Sequence, residues 1–387
     1  MNINIVKLLP IFFALTVTSC SDGEDDAVYE ADPQISVPEN LRSDELAVSL
    51  FREVVQEYAG NVVISPKGAE AVLRMLKQGA RGEVAAELAS LSMGEPDVPT
   101  AMQPTEANAL FVDESLRLNP DMNQDAIPAP LTNAPIEAVQ QMNAWVGEQT
   151  HGRVSELLST DALKHEEPVR MVLANAMVLQ EKWLRPFSTE KTRRAPFYCA
   201  DDSSVMVEMM QRESCFRYAV GDDWQAMALF YRTDGRQGNP GCFIGILPEG
   251  NARDFAATLT VEKYTAIRRA LAESSPRKMV VELPAFTMNA PAISLVKPLQ
   301  DCGLKRVFSY TRDWGGFTDE ELRVQELLQC CYVQVDEQGT RAAASTAAIV
   351  GQRCVPETLT FERPFIWMIT DLSTPAAPYF MGILERP

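Results

Sequence analysis

The sequence predicts a single mixed α+β domain over residues 40–387, and three observations carry that expectation. Some stretches repeat apolar residues at helical spacing, as at Leu46, Leu50, Phe51, Val54 and Val55. Others are short apolar runs, and that from Val169 to Leu179 suits a strand buried on both faces. No internal repeat or low-complexity linker divides residues 40–387, and a chain that is 46% hydrophobic has enough apolar surface for a sizeable core.

Taken in order, Ser43 to Tyr58 forms the first helix and Val62–Ile64 a short strand. Ser65-Pro66 then starts a helix, serine as N-cap and proline in the first turn, which runs to about Gln78 and stops at Gly79. Pro96, Pro99 and Pro104 deny residues 90–107 a long helix, and Pro120, Pro128, Pro130 and Pro135 break the stretch that follows. Ile136 to Val146 is helical again. Residues 193–248 hold several short strands, with turns at Asp234-Gly235 and at Gly238-Asn239-Pro240-Gly241. Met279 to Leu283 is β-rich, Ile293 to Gln300 is a short helix, and Phe361–Asp371 with Tyr379–Leu384 makes a closing hairpin.

The most informative stretch runs from Val333 to Phe365. Val333-Gln334-Val335-Asp336 alternates as a strand does. From Gln338 to Val355 there is no proline, so every backbone N–H could join a ladder. Thr340, Ala342, Ala344, Thr346 and Ala348 share one parity and are all small, while Arg341 falls on the other face. Alanine has little strand propensity of its own. The plain account is a small-residue surface loop between strands. The sharper account is a segment able to slide into a narrow slot within a sheet.

That segment resembles the reactive-centre loop of serpins. The likeness extends along the chain through Asn61-Val62-Val63-Ile64-Ser65-Pro66, Gly79-Ala80-Arg81-Gly82, Asn108-Ala109-Leu110-Phe111 and Asn143-Ala144-Trp145-Val146. It continues through Ala174-Asn175-Ala176, Lys182-Trp183-Leu184-Arg185-Pro186-Phe187, Leu283-Pro284-Ala285-Phe286, Arg363-Pro364-Phe365 and Phe380-Met381-Gly382. The resemblance implies a large mixed central sheet with two smaller sheets, about eight helices with one shortened or missing, and an exposed loop over about residues 337–360. The truncated helix is the one that binds glycosaminoglycan in some animal members. No basic run replaces it, so no such cofactor is expected.

The resemblance also implies suicide inhibition of a protease by a monomer. Family spacing puts the cut bond after the residue sixteen positions beyond Glu337, which is Arg353; Phe361 follows eight positions later, as the pattern requires. The reactive bond is then Arg353–Cys354. An arginine there suits a pocket with a carboxylate at its base. A trypsin-like serine protease is the expected target. An Arg-specific cysteine protease, or a non-inhibitory surface binding protein with the same fold, stays open. The loop hinge comprises Glu337, Gly339, Thr340, Arg341, Ala342, Ala343, Ala344 and Ser345. Asn61, Ser65, Asn175, Gln329 and Trp183 form the cluster that governs opening of the sheet. Arg341 replaces a usual Glu, Gly68 a common Ser and Gln329 a common His.

A formal charge of −18 argues against nucleic acid as a partner. Lys7 precedes an apolar run, Leu8 to Val17, that is too short to span a membrane and reads as a signal peptide over residues 1–19. Val17-Thr18-Ser19-Cys20 resembles a bacterial lipobox, which implies lipid attachment at Cys20 and a membrane contact through that anchor alone. Residues 20–39, with an acidic run from Asp22 to Asp26, read as a tether. Such a tract accompanies outer-surface export in some Gram-negative lipoproteins. Beyond Cys20, seven cysteines make an odd set without C-x-x-C spacing, so buried single thiols are expected rather than disulfides or zinc. The two histidines, His151 and His165, stand without a G-x-S-x-G, H-E-x-x-H or Gly-rich phosphate loop, so no catalysis, metal or cofactor is expected.

Overall fold

A computed structural model of the chain describes residues 33, 44–93, 100–120, 126–159, 163, 167–289, 291–339, 357–373 and 376–387. All belong to one unit, Asp32–Pro387. The chain begins with helix α1 (Asp44–Glu57), strand β1 (Val62–Ile64), α2 (Pro66–Gly79) and α3 (Gly82–Ser90). Strands β2 (Thr105–Asp113) and β3 (Ala126–Ala129), helix α4 (Pro135–Gln149) and strand β4 (Met171–Leu179) follow. Then come β5 (Arg193–Tyr198), β6 (Ser204–Val220), β7 (Trp224–Phe230) and β8 (Cys242–Pro248), with α5 (Ala252–Ala257) and α6 (Val261–Glu273). The last part contains β9 (Arg277–Pro284), β10 (Phe286–Asn289), β11 (Ile293–Ser294), α7 (Val296–Asp301), β12 (Glu326–Val335), β13 (Thr358–Thr360), β14 (Phe365–Thr370) and β15 (Phe380–Leu384).

The six-stranded sheet is mixed, in the order β10-β12-β4-β2-β3 with β11 also on β12. Its central pair, β4 and β12, is parallel and in register from Val172↔Glu326 to Leu179↔Val333. All nine residues of β4 are buried, as its apolar run requires. Successive side chains point to opposite faces. Val172, Ala174, Ala176 and Val178 pack with Val139, Met142 and Val146 of α4. Met171 and Leu173 join a cluster with α1 and α2, whereas Met177 and Leu179 join another with β14 and β15.

The other strands form one nine-stranded sheet, β1-β15-β14-β8-β7-β6-β9-β13, with β5 also on β6. β6 runs 17 residues, not the short strands expected there, and its two ends serve different neighbours. Met209 to Phe216 pairs with β9, and Arg217 to Val220 with β7, so the two smaller sheets are fused through one strand. The helix expected over Ile293–Gln300 is displaced. Ile293 and Ser294 pair with Gln329 and Leu328 as an edge strand, and the helix begins only at Val296. Seven α-helices lie among the described residues, and none occupies the described parts of the Pro-rich stretch between α3 and α4. Cys199, Cys215, Cys242, Cys302, Cys330 and Cys331 are free thiols; Cys330 and Cys331 face opposite cores.

Candidate functional site at the central strand seam

Asn175 is the one polar side chain in β4, and it is fully buried. An amide there must find partners, because leaving a buried donor or acceptor unpaired costs about 1–3 kcal/mol. It finds them sideways. The register sets Asn108 of β2 beside Asn175, and Gln329 of β12 on its other side. Gln329 Nε2 donates to Asn175 Oδ1 at 2.9 Å, and Asn175 Nδ2 donates to Asn108 Oδ1 at 2.7 Å. Asn108 Nδ2 continues the chain to Glu106 Oε1 at 2.9 Å.

Gln329 also reaches the start of α2. Its Oε1 accepts from the Ser65 N–H at 2.7 Å, and its Nε2 donates to the Ser65 carbonyl at 2.9 Å. Ser65 Oγ caps the helix by accepting from the Gly68 N–H at 3.0 Å. The replacement of serine by glycine at 68 has a local reason, since a Cβ there would strike the Asn175 carboxamide. This polar rung lies between two apolar clusters on one face of the sheet: Leu173 and Leu327 on one side, Met177, Cys331 and Val333 on the other.

Beyond β12 the chain turns sharply at Asp336–Gly339. The Asp336 N–H donates to the Gly339 carbonyl at 2.9 Å, and Asp336 Oδ1 accepts from the Gln338 N–H at 3.0 Å. Burial, the largest influence on its carboxyl, lifts the Asp336 pKa above the usual aspartate value. The turn is fastened to the segment after β4. Trp183 N–H donates to the Gln338 carbonyl at 2.9 Å, Phe187 N–H to the Glu337 carbonyl at 2.7 Å, and Thr192 Oγ1 to Glu337 Oε1 at 2.7 Å. Gly339 has φ +143° and faces the Glu181–Lys182 backbone, where no side chain fits.

The far anchor is β13, an edge strand parallel to β9. Glu282 of β9 ties it down. Its Oε2 accepts from Thr360 Oγ1 at 2.9 Å, and its Oε1 from Arg193 Nη2 at 2.8 Å and Gln211 Nε2 at 3.1 Å. Burial pushes the Glu282 pKa upward, but those hydrogen bonds outweigh it and hold the carboxyl below the usual glutamate range. Phe361 is fully buried beside Phe365.

Of the expected opening cluster, the fold brings Ser65, Asn175 and Gln329 together. Trp183 lies apart, at the Asp336–Gly339 turn, stacked on Tyr231 with its Nε1 donating to the Asp336 carbonyl at 2.9 Å. Asn61 lies apart as well: its Oδ1 accepts from the N–H groups of Glu385 and Arg386, so it secures the C-terminal segment. Glu337 and Gly339, expected in the hinge, stand in the turn that follows β12. Thr340, Arg341, Ala342, Ala343, Ala344, Ser345, Arg353 and Cys354 lie outside the described residues, as do Cys20 and His165. His151 is exposed in a left-handed turn after α4. Asn108, Thr192 and Glu282 join the site although sequence reasoning passed them over. Only the Asn108-Ala109-Leu110-Phe111 motif signalled one of them.

A family model described as Serpin (serine protease inhibitor) matches residues 42–387. Alpha-1-antiproteinase S of Cavia porcellus is 27% identical over 396 residues, covering 94% of this chain and 93% of that protein. Glia-derived nexin of Homo sapiens is 29% identical over 371 residues, covering 88% and 91%. Among solved structures, native protease nexin-1 with heparin aligns with a TM-score of 0.75 at 25% identity, over 90% of this chain and 98% of that one. Native tengpin, a thermophilic serpin, aligns with a TM-score of 0.76 at 21% identity, over 92% and 96%.

Proposed function

Since the chain belongs to the serpin family of serine protease inhibitors, we propose that it is a suicide inhibitor cleaved at Arg353–Cys354 by a trypsin-like serine protease. The protease serine attacks the Arg353 carbonyl, the amine of Cys354 departs, and the acyl-enzyme is carried along as the segment after Gly339 enters the six-stranded sheet. One observation supports this above the others: β4 and β12 are direct parallel neighbours, and β12 leads straight into the hinge turn. A segment that reverses direction at that turn would run antiparallel to both. One parallel ladder would be exchanged for two antiparallel ones, the better-bonded arrangement. About a dozen added residues at roughly 0.5–1.5 kcal/mol net per hydrogen bond give a driving force on the order of 10 kcal/mol. The small side chains of Thr340, Ala342 and Ala344 bury little area, so their contribution is fit.

Incubation with trypsin is expected to give a complex that survives SDS, and Arg353→Glu to abolish it. Complex with an Arg-specific cysteine protease but not with trypsin would move the target to that class. Cleavage after Arg353 without any complex would leave a surface binding protein with a serpin fold. The lipobox-like residues before Cys20 support attachment to a membrane through a lipid, and the acidic run from Asp22 to Asp26 supports the outer membrane of a Gram-negative bacterium. Cys20→Ala should release the protein into the soluble fraction.

A further inference from the structure

Immediately after β4, Glu181 is 4% exposed and takes the Arg236 guanidinium end-on. Nη1 donates to Oε1 at 2.8 Å and Nη2 to Oε2 at 2.6 Å. Arg236 is itself held in place, since its Nε donates to the Thr233 carbonyl at 2.8 Å and its Nη2 also to the Arg232 carbonyl at 2.9 Å. The same carboxylate accepts from the Gln103 N–H at 2.9 Å. Arg236 belongs to the β7–β8 connection, which returns along residues 100–102: the Ala101 N–H donates to the Asn239 carbonyl at 3.0 Å, and Gly238 (φ +106°) lies so close to the Thr100 backbone that no Cβ fits. One carboxylate therefore joins the lead-in to β2, the end of β4 and a hairpin of the nine-stranded sheet. Behind it, the Glu181 carbonyl abuts Gly339 of the hinge.

We propose that Glu181 and Arg236 are positioning residues that form a clip setting the threshold for parting β4 from β12. The inference rests on the loop-entry reading above. Admitting a strand between β4 and β12 requires them to separate by about a further 4.8 Å. β12 is tied to the nine-stranded sheet through β10, where Phe286 packs on Phe365 and Trp367. The end of β4 is tied to that same sheet through the Trp183↔Tyr231 bridge and the bidentate pair. Parting the strands at the hinge works against this pair, which is largely shielded from water and doubly hydrogen-bonded.

The test uses the intact protein and a synthetic peptide with the sequence of residues 340–352. Peptide uptake is followed by the rise in melting temperature it produces, with no protease present. Arg236→Ala and Glu181→Gln are expected to take up peptide about tenfold faster than the unsubstituted protein, with Arg236→Lys between. Leu271→Ala, a core substitution in α6 that lowers resistance to denaturant without touching the seam, is expected to stay near the unsubstituted rate. Unchanged uptake in both clip variants, or equal acceleration by Leu271→Ala, overturns the clip while leaving loop entry intact. Failure of every form to take up peptide overturns loop entry and the clip with it.

Discussion

Gln329 makes three hydrogen bonds with a single amide, two to the Ser65 backbone and one to Asn175. Truncation by Gln329→Ala leaves the Ser65 N–H and the Asn175 carboxamide oxygen without partners, at about 1–3 kcal/mol for each group, whereas the Ser65 carbonyl keeps the Ala69 N–H at 2.9 Å. We expect a loss of about 2 kcal/mol or more, read as a lower denaturant midpoint with an unchanged slope. Part of this site could be read from residue types alone. Ser65 before Pro66 announces an N-cap, and a lone Asn175 in an apolar run announces a buried polar contact. Which amide would meet it could not be read, because Asn108 and Gln329 become its neighbours only through strand register, a long-range property. Asn61 misled for the same reason: its motif places it beside β1, but its hydrogen bonds go to the far end of the chain.

At the level of elements, β13 is a three-residue edge strand, and Glu282 is its polar fastening. The folded pKa of Glu282 lies below its ordinary value. The stability it contributes is therefore present above the ordinary glutamate range and lost as pH falls through the depressed folded value. Amide exchange at Phe361, whose N–H donates to the Glu282 carbonyl at 2.9 Å, should lose protection below about pH 4. In Glu282→Gln that pH step should vanish. Among the strands, β4, β14 and β15 were legible because burial on both faces writes itself as a near-continuous apolar run. The length of β6 was not, since it alternates unevenly where its two faces exchange exposed and buried roles. β11 was hidden for another reason: two residues of strand exist only because β12 lies beside them.

For the whole molecule, cleavage within the loop is the decisive perturbation. A gain on the order of 10 kcal/mol should raise the melting temperature of the cut protein by roughly 20 °C. Differential scanning calorimetry on intact and trypsin-cleaved protein measures this directly, and equal transitions would refute loop entry. The mixed architecture was visible in the chain's periodicities. The fusion of two smaller sheets into one was not, because it depends on a single strand changing partners midway.

The outer margin of the six-stranded sheet has its own significance. Its edge strand β3 contains Pro128, which offers no N–H to an incoming chain. Recruitment of neighbouring molecules is thus blunted at this edge, and on the loop-entry proposal the place for an extra strand is the middle of the sheet. A protein arranged this way is guarded against its surroundings at that edge, and against itself by a rung of amides and a bidentate ion pair.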